Sequence, residues 1–168
     1  MQTLISARDI HERVRDMGRH IRRDHPDNVH LICVLKGAFV FLADLARAIE
    51  GDVTLDFIAV SSYGTSTASS GQVQFLKDLD HPIEGRDVVV VEDIVDTGLT
   101  LNYLLGILRT RSPRSLRAAC LLNKPSRRKI DVTVDYVGFA IQDKFVVGYG
   151  LDYAEQYRNL SDIVVIGH

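Results

Sequence analysis

Val88-Val89-Val90-Val91-Glu92-Asp93-Ile94-Val95-Asp96-Thr97-Gly98-Leu99-Thr100-Leu101 decides how this chain is read. Four consecutive valines show no in/out alternation, as expected of a parallel strand covered on both faces. The acids that follow then sit at the strand's carboxyl end, the edge at which open α/β sheets bind ligands. Asp96-Thr97-Gly98-Leu99-Thr100 forms a small polar turn into an apolar helical run, Leu101, Leu104, Leu105 and Leu108. Such a turn suits a phosphate: Gly98 permits positive φ, Thr97 and Thr100 carry hydroxyls, and the free N–H groups of a helix start point at an anion. Three acids beside an anion site conflict with it unless they face sugar hydroxyls, a divalent cation or a base. A ribose 5-phosphate, with its 2′ and 3′ hydroxyls on carboxylates, resolves the conflict.

The remaining chain repeats the pattern. Ser6-Ala7-Arg8-Asp9 is a capping sequence, and Ile10, Val14, Met17 and Ile21 continue it at helical spacing to about Arg23. Val29 to Leu35 is a second strand ending in Lys36-Gly37, followed by a helix through Phe39, Leu42, Leu45 and Ile49 up to Gly51. Lys36 and Gly37 thus occupy another strand's carboxyl edge, where a cation and a permissive backbone can hold a second phosphate. Val53 to Val60 is a third strand. It opens into the Ser/Thr/Gly-rich run Ser61 to Gly71, too small and polar for a core and expected to be a mobile flap. Val73 to Lys77 returns from it, and Leu116 to Leu122 brings Asn123-Lys124-Pro125-Ser126 to the same rim.

Composition narrows the function classes. A chain of 168 residues suits one domain burying roughly 70% of its unfolded surface. The formal net charge is −2, but no acid occurs from Thr97 to Ile130 while Arg109, Arg111, Arg114, Arg117, Lys124, Arg127, Arg128 and Lys129 accumulate there. That stretch reads as a solvated face or subunit contact, with phosphate steering and RNA binding as the alternatives. Cys33 and Cys120 lie in apolar runs without CxxC spacing and read as buried thiols in a reducing compartment. No HExxH occurs, so any metal here would prefer carboxylate oxygen, with magnesium the natural choice. Lys36 interrupts the longest apolar run, and the acid-bearing N-terminus resembles neither a signal nor a transit peptide. A cytoplasmic protein without membrane association is expected.

Val-Val-Glu-Asp-Ile-Val-Asp-Thr-Gly-Leu-Thr resembles the phosphoribosyl pyrophosphate (PRPP) motif of type I phosphoribosyltransferases, in the form found in the hypoxanthine-guanine branch. Leu35-Lys36-Gly37 resembles that family's pyrophosphate loop, which carries a non-proline cis peptide. Asp143-Lys144-Phe145-Val146-Val147-Gly148-Tyr149, with Asp152-Tyr153, resembles its purine-binding hood. The resemblance spans Leu35 to Arg158 and departs at Gln142, where a proline is common, and at Leu99, where animal members carry lysine.

The resemblance implies a Rossmann-like, doubly wound α/β fold with a mainly parallel sheet: one domain over residues 1–168, a small hood built from the N-terminal segment and roughly 137–168, and a flap at roughly 61–72. It implies transfer of 5-phosphoribosyl from PRPP to hypoxanthine or guanine, giving IMP or GMP plus pyrophosphate, with Mg2+ as cofactor and a homodimer or homotetramer as the assembly. The implied roles are ribose and 5′-phosphate binding by Glu92, Asp93, Asp96, Thr97, Gly98, Leu99 and Thr100, with Asp96 catalytic at the purine N7 proton. Pyrophosphate falls to Lys36, Gly37 and Arg158, and the purine to Lys124, Phe145, Val146 and Asp152. Ser62 and Tyr63 reach in from the flap, and Glu92, Asp93 and Asp152 hold metal. Two rival classes fit the residues less well. A phosphorylation-receiver domain places its acid pair at the first strand, unlike Glu92-Asp93. A PRPP-sensing RNA-binding regulator could use the basic stretch but gives no reason for Lys124 and Phe145 to be set for a purine.

Overall fold

The computed structural model describes residues 1–62 and 72–167. In chain order the elements are β1 (Gln2–Ile5), α1 (Ala7–Asp24), β2 (Asn28–Leu35), α2 (Phe39–Ala48), β3 (Asp52–Ser62), β4 (Val73–Lys77), β5 (Asp87–Val95), α3 (Leu99–Arg109), β6 (Ser115–Asn123), β7 (Tyr136–Ala140), β8 (Val146–Val147) and β9 (Ile163–Val165). Six strands form one sheet in the order β4-β3-β2-β5-β6-β7. All neighbours are parallel except β4, which returns antiparallel on the edge of β3.

The valine run behaves as a doubly covered strand must. Val88 and Val90 enter the core layer beneath α3, together with Ile32, Leu101, Leu104 and Leu108. Val89 and Val91 face the opposite layer, with Ile10, Val14 and Met17 of α1 and Phe41, Leu42 and Leu45 of α2. All four valines are fully buried. At roughly 25 cal/mol per Å² of apolar area, each such residue contributes on the order of 2 kcal/mol, which makes this strand the sheet's anchor. Helix α1 begins as its sequence indicates, with the Ser6 side chain accepting from the Asp9 N–H at 3.1 Å.

The strand order locates a ligand site without reference to any side chain. Counting only the parallel strands, the chain runs outward from β2 to β3 and then returns to β5 on the other side of β2, giving a 2-1-3-4-5 order. Between β2 and β5 the winding direction reverses, and the loops after these two strands diverge to leave a crevice. These are the loops that begin with Lys36-Gly37 and Asp96-Thr97.

A separate antiparallel sheet, β1-β9-β8, joins the N-terminus to the C-terminal segment. Its residues Ile5, Val146 and Ile163 continue the core layer that contains α1 and α2, together with Tyr149 and Leu151 of the following loop. The expected flap residues 63–71, Tyr63 among them, lie outside the described residues; Ser62 ends β3, its backbone paired with Val73.

Candidate active site

Strand β5 does not stop at Val91. It runs to Val95, with Glu92 aligned to Cys120, Ile94 to Leu122 and Val95 to Asn123 of β6. The expectation that the acids follow the strand is corrected accordingly: Glu92 and Asp93 are its penultimate turn of pleat, tolerated there because β6 continues the ladder beside them. They are partly buried and adjacent. Burial pushes Glu92 well above the usual carboxylate range, and the neighbouring Asp93 charge adds to it. Asp93 is pushed up to about 6, again chiefly by burial and further by Asp152, against the lowering effect of the Ile94 N–H that its Oδ1 accepts at 2.6 Å. Two carboxyls in such a place favour holding a proton until a diol or a cation replaces it.

The turn into α3 has the backbone expected of it. Gly98 adopts φ +83 and caps α3 without a side chain, and the first turn of α3 contains no acid. Asp96 Oδ1 accepts from the Thr97 N–H at 2.6 Å, and Thr97 Oγ1 accepts from the Leu99 N–H at 3.3 Å. A cleft of about 50 Å³ is lined by Glu92, Asp96, Thr97, Gly98 and Thr100 among others. Arg128, which in the sequence was only one more member of a basic stretch, clamps this loop from behind. Its guanidinium donates to the Asp96 carbonyl at 2.8 Å and to Asn123 Oδ1 at 2.6 Å, and the Lys129 N–H donates to the Thr97 carbonyl at 2.9 Å.

Lys36-Gly37 lies against this edge. The Leu35–Lys36 peptide is cis, as the resemblance implied. A β-carbon on Gly37 would fall on top of Asp93 Oδ2, so only glycine lets the loop descend onto the acid. From the other side, a β-carbon on Gly150 would stand 2.5 Å from the Gly37 carbonyl. Three segments distant in sequence therefore meet in direct backbone and side-chain contact: the end of β2, the end of β5 and the loop after β8. Arg158 binds that last loop to itself, donating to the Gly150 carbonyl at 2.7 Å and lying 3.5 Å from Asp152 Oδ1. Its Nε is buried and has no partner among the described residues. Tyr149 anchors the loop to α2 by donating its hydroxyl proton to the Asp44 carboxylate.

Lys124 caps β6 and is 91% buried, while its Nζ reaches Asp143 Oδ1 at 3.4 Å. Phe145, two residues beyond Asp143, exposes half of its surface and meets the Tyr153 ring edge-on at 5.6 Å. Val146 is buried, and its backbone lies in β8 beside Val165 of β9. Asp143 and Tyr153 stand in the hood motif, but the motif implies no role for either. An isolated surface aspartate gives no signal until the lysine opposite is known.

The donor set suits a hard cation in chemistry but is not gathered for one. Among the described residues no group of three His, Cys, Asp or Glu side chains stands close enough to hold a metal. Glu92, Asp93 and Asp152, the metal set implied by the resemblance, offer hard carboxylate oxygens but do not form such a group. The basic stretch is largely neutralised by acids from elsewhere. Arg111 forms a two-pronged pair with Asp78 at 2.8 and 2.9 Å, Arg114 pairs with Asp87, and Arg117 contacts Asp24 and the Tyr136 hydroxyl. Cys33 and Cys120 are free, buried thiols pushed up to about 12 chiefly by burial, and so are unreactive. Among the described residues no helix is long and apolar enough to cross a membrane.

The switch point of this α/β sheet thus gathers a glycine turn at a helix start, an adjacent pair of raised acids and the Lys36-Gly37 loop. A family model described as the phosphoribosyl transferase domain matches residues 6–154, and the chain belongs to that family. It is 50% identical over 166 residues to the hypoxanthine-guanine phosphoribosyltransferase of Bacillus subtilis, covering 98% of this chain and 92% of that one. It is 54% identical over 167 residues to the enzyme of the same name from Mycobacterium avium, covering 95% and 82%. Among solved structures, a hypoxanthine-guanine phosphoribosyltransferase from Bacillus anthracis superposes with a TM-score of 0.96 at 49% identity, covering 99% of each chain.

Proposed function

We propose that this transferase moves the 5-phosphoribosyl group of PRPP to N9 of hypoxanthine or guanine, giving IMP or GMP and pyrophosphate in purine salvage. The observation that carries this reading is the meeting of Lys36-Gly37, Glu92-Asp93 and the Gly150–Arg158 loop around one crevice. It matches a substrate with a phosphate at one end, a diol in the middle and a diphosphate leaving group at the other.

The 5′-phosphate sits on the Asp96–Thr100 turn, its charge met by N–H groups and the α3 dipole. Glu92 and Asp93 accept hydrogen bonds from the ribose hydroxyls, which removes the mutual repulsion of the pair. As the bond to pyrophosphate lengthens, the anomeric carbon gains oxocarbenium character, and these fixed negative groups beneath the ring stabilise it. Lys36 and Arg158 hold the departing pyrophosphate. Magnesium, when bound, supplies further neutralisation of that leaving group, and Asp93 and Asp152, with Glu92 beside them, would hold it. Phe145 stacks on the purine, Lys124 faces its 6-oxo group, and Asp96 takes the proton from N7.

The protein is read as a cytoplasmic homodimer or homotetramer. Free buried cysteines suit a reducing compartment, and exposed Phe39, Leu55 and Leu76 suit a subunit contact. The deciding experiment is pyrophosphate release from PRPP and magnesium with a panel of bases. Turnover with hypoxanthine and guanine is expected; turnover with none of the purines overturns the reading.

A further inference from the structure

We propose that Glu155 is an internal competitor of pyrophosphate: its carboxylate bridges the two cations assigned to that product and helps to expel it. Glu155 Oε2 lies 3.3 Å from Lys36 Nζ, a contact across most of the chain, and Glu155 Oε1 lies 3.3 Å from the Arg158 guanidinium. One carboxylate thus spans a lysine and an arginine from separate segments, as one end of a diphosphate would. Its charge is stabilised there, with Arg158 first and Lys36 second holding its carboxyl below the usual range. Both anions cannot occupy the same two cations.

The backbone gives an independent reason to look for function at this position. Tyr153 and Gln156 exchange backbone hydrogen bonds at 3.0 and 2.9 Å, so Ala154 and Glu155 are the two central residues of a tight hairpin turn. Both have positive φ, +52 and +66. Turns with two such residues favour Asn, Asp and Gly, because a β-carbon is strained there. A glutamate is a poor choice for the turn itself, and strain of this kind persists where the surroundings enforce it. What the turn gains is placement. The Glu155 N–H donates to Asp152 Oδ2 at 2.8 Å, fixing the apex so that its side chain projects toward Lys36 and Arg158.

The strength of the contact sets the size of the effect. Lys36 and Glu155 side chains are 68% and 64% exposed, so the pair is weak and readily displaced. A weak competitor is what turnover needs: it yields to incoming PRPP, with its sugar and 5′-phosphate contacts, but opposes free pyrophosphate, which lacks them.

The inference rests on the proposed assignment of Lys36 and Arg158 to pyrophosphate, and the test separates the two. Inhibition by inorganic pyrophosphate with magnesium is measured for the parent, Glu155→Gln and Lys36→Ala, together with KM for PRPP and kcat. Glutamine keeps the backbone N–H to Asp152 and the side-chain length while removing the charge. The expected result is an inhibition constant for pyrophosphate about two- to fivefold lower in Glu155→Gln, with a lower KM for PRPP and kcat unchanged or reduced. A merely structural role would raise both constants instead. If Lys36→Ala weakens pyrophosphate binding while Glu155→Gln leaves it unchanged or weaker, the competitor role is overturned and the assignment of the loop survives. If Lys36→Ala leaves pyrophosphate binding unaltered, the assignment of the loop falls and the competitor role with it.

Discussion

Gly37 rests directly on the carboxylate of Asp93, with no room between them for a β-carbon. In the proposed function the contact joins the loop assigned to one end of the substrate to the acid assigned to its middle. Any side chain at position 37 must lift the loop or rotate the acid, and either shift misplaces a group by about an ångström. Misplacements of that size cost about 10²-fold in well-oriented reactions. Gly37→Ala is therefore expected to lower kcat/KM for PRPP by about 10²-fold while the thermal midpoint moves only a few degrees. Steady-state kinetics beside a melting curve checks this; an active Gly37→Ala would show that loop and acid do not need to touch.

The raised value of Asp93 carries a stability cost with a definite sign. Its ordinary value is 3.8 and in the fold it is about 6, so between these pH values the folded chain binds more protons than the unfolded one. Stability due to this group therefore falls as pH rises from about 4 to about 6, and the loss is complete above that window. Asp93→Asn removes the ionisation, so the variant should melt above the parent at pH 8 and lose that advantage near pH 4. PRPP with magnesium should also bind with proton release near pH 6, seen in calorimetry as a heat that varies with the buffer's ionisation enthalpy. Parallel Tm profiles for parent and variant would mean that Asp93 titrates normally.

The acid Asp96 can be tested with its local structure held fixed. Its Oδ1 accepts the Thr97 N–H, and an asparagine oxygen can accept the same bond, so Asp96→Asn should keep the phosphate turn. If Asp96 takes the purine proton, PRPP affinity stays near the parent value while kcat falls by about 10²-fold or more. Undiminished turnover would remove it from the chemistry.

These groups differ in how far the sequence exposes them. Val88 to Val91 are legible because a strand covered by helices on both faces must be apolar at every position, which is rare enough to read from one chain. Gly98 is legible because the tight turn into α3 needs positive φ, which glycine adopts without strain. The end of β5 was misplaced, since whether Ile94 and Val95 stay in the sheet depends on β6 reaching Leu122 and Asn123 beside them. The setting of the basic stretch is hidden for the same reason: Asp78, Asp24 and Asp87, which pair with its arginines, come from other parts of the chain. Glu155 carries no local pattern, and Asp143 opens the hood motif without a role of its own, because each gains its meaning from a lysine outside its own segment.

Lys124 bears on which base is used. An ammonium has three donors and no acceptor, so it can pair with a 6-oxo group but not with the N–H of adenine's 6-amino group. The lysine is nearly buried, and its one carboxylate neighbour, Asp143, is 3.4 Å away and shared with Arg127 at 3.4 Å. That loose pairing leaves Lys124 able to engage a base, while Asp143 helps to aim it. Adenine would leave a buried cation facing a donor, and a site built on a specific hydrogen bond discriminates by about 10⁴-fold against a partner that cannot make it. Hypoxanthine and guanine should therefore both react, with adenine poorer by about that factor in kcat/KM. Lys124→Met, which keeps the apolar stem and removes the charge, should cut hypoxanthine turnover sharply and shrink the gap to adenine. A parent enzyme that used adenine and hypoxanthine equally would end the role given to Lys124. A Lys124→Met variant with the parent's discrimination would move the reading of the 6-position to the backbone beside Phe145 and Val146.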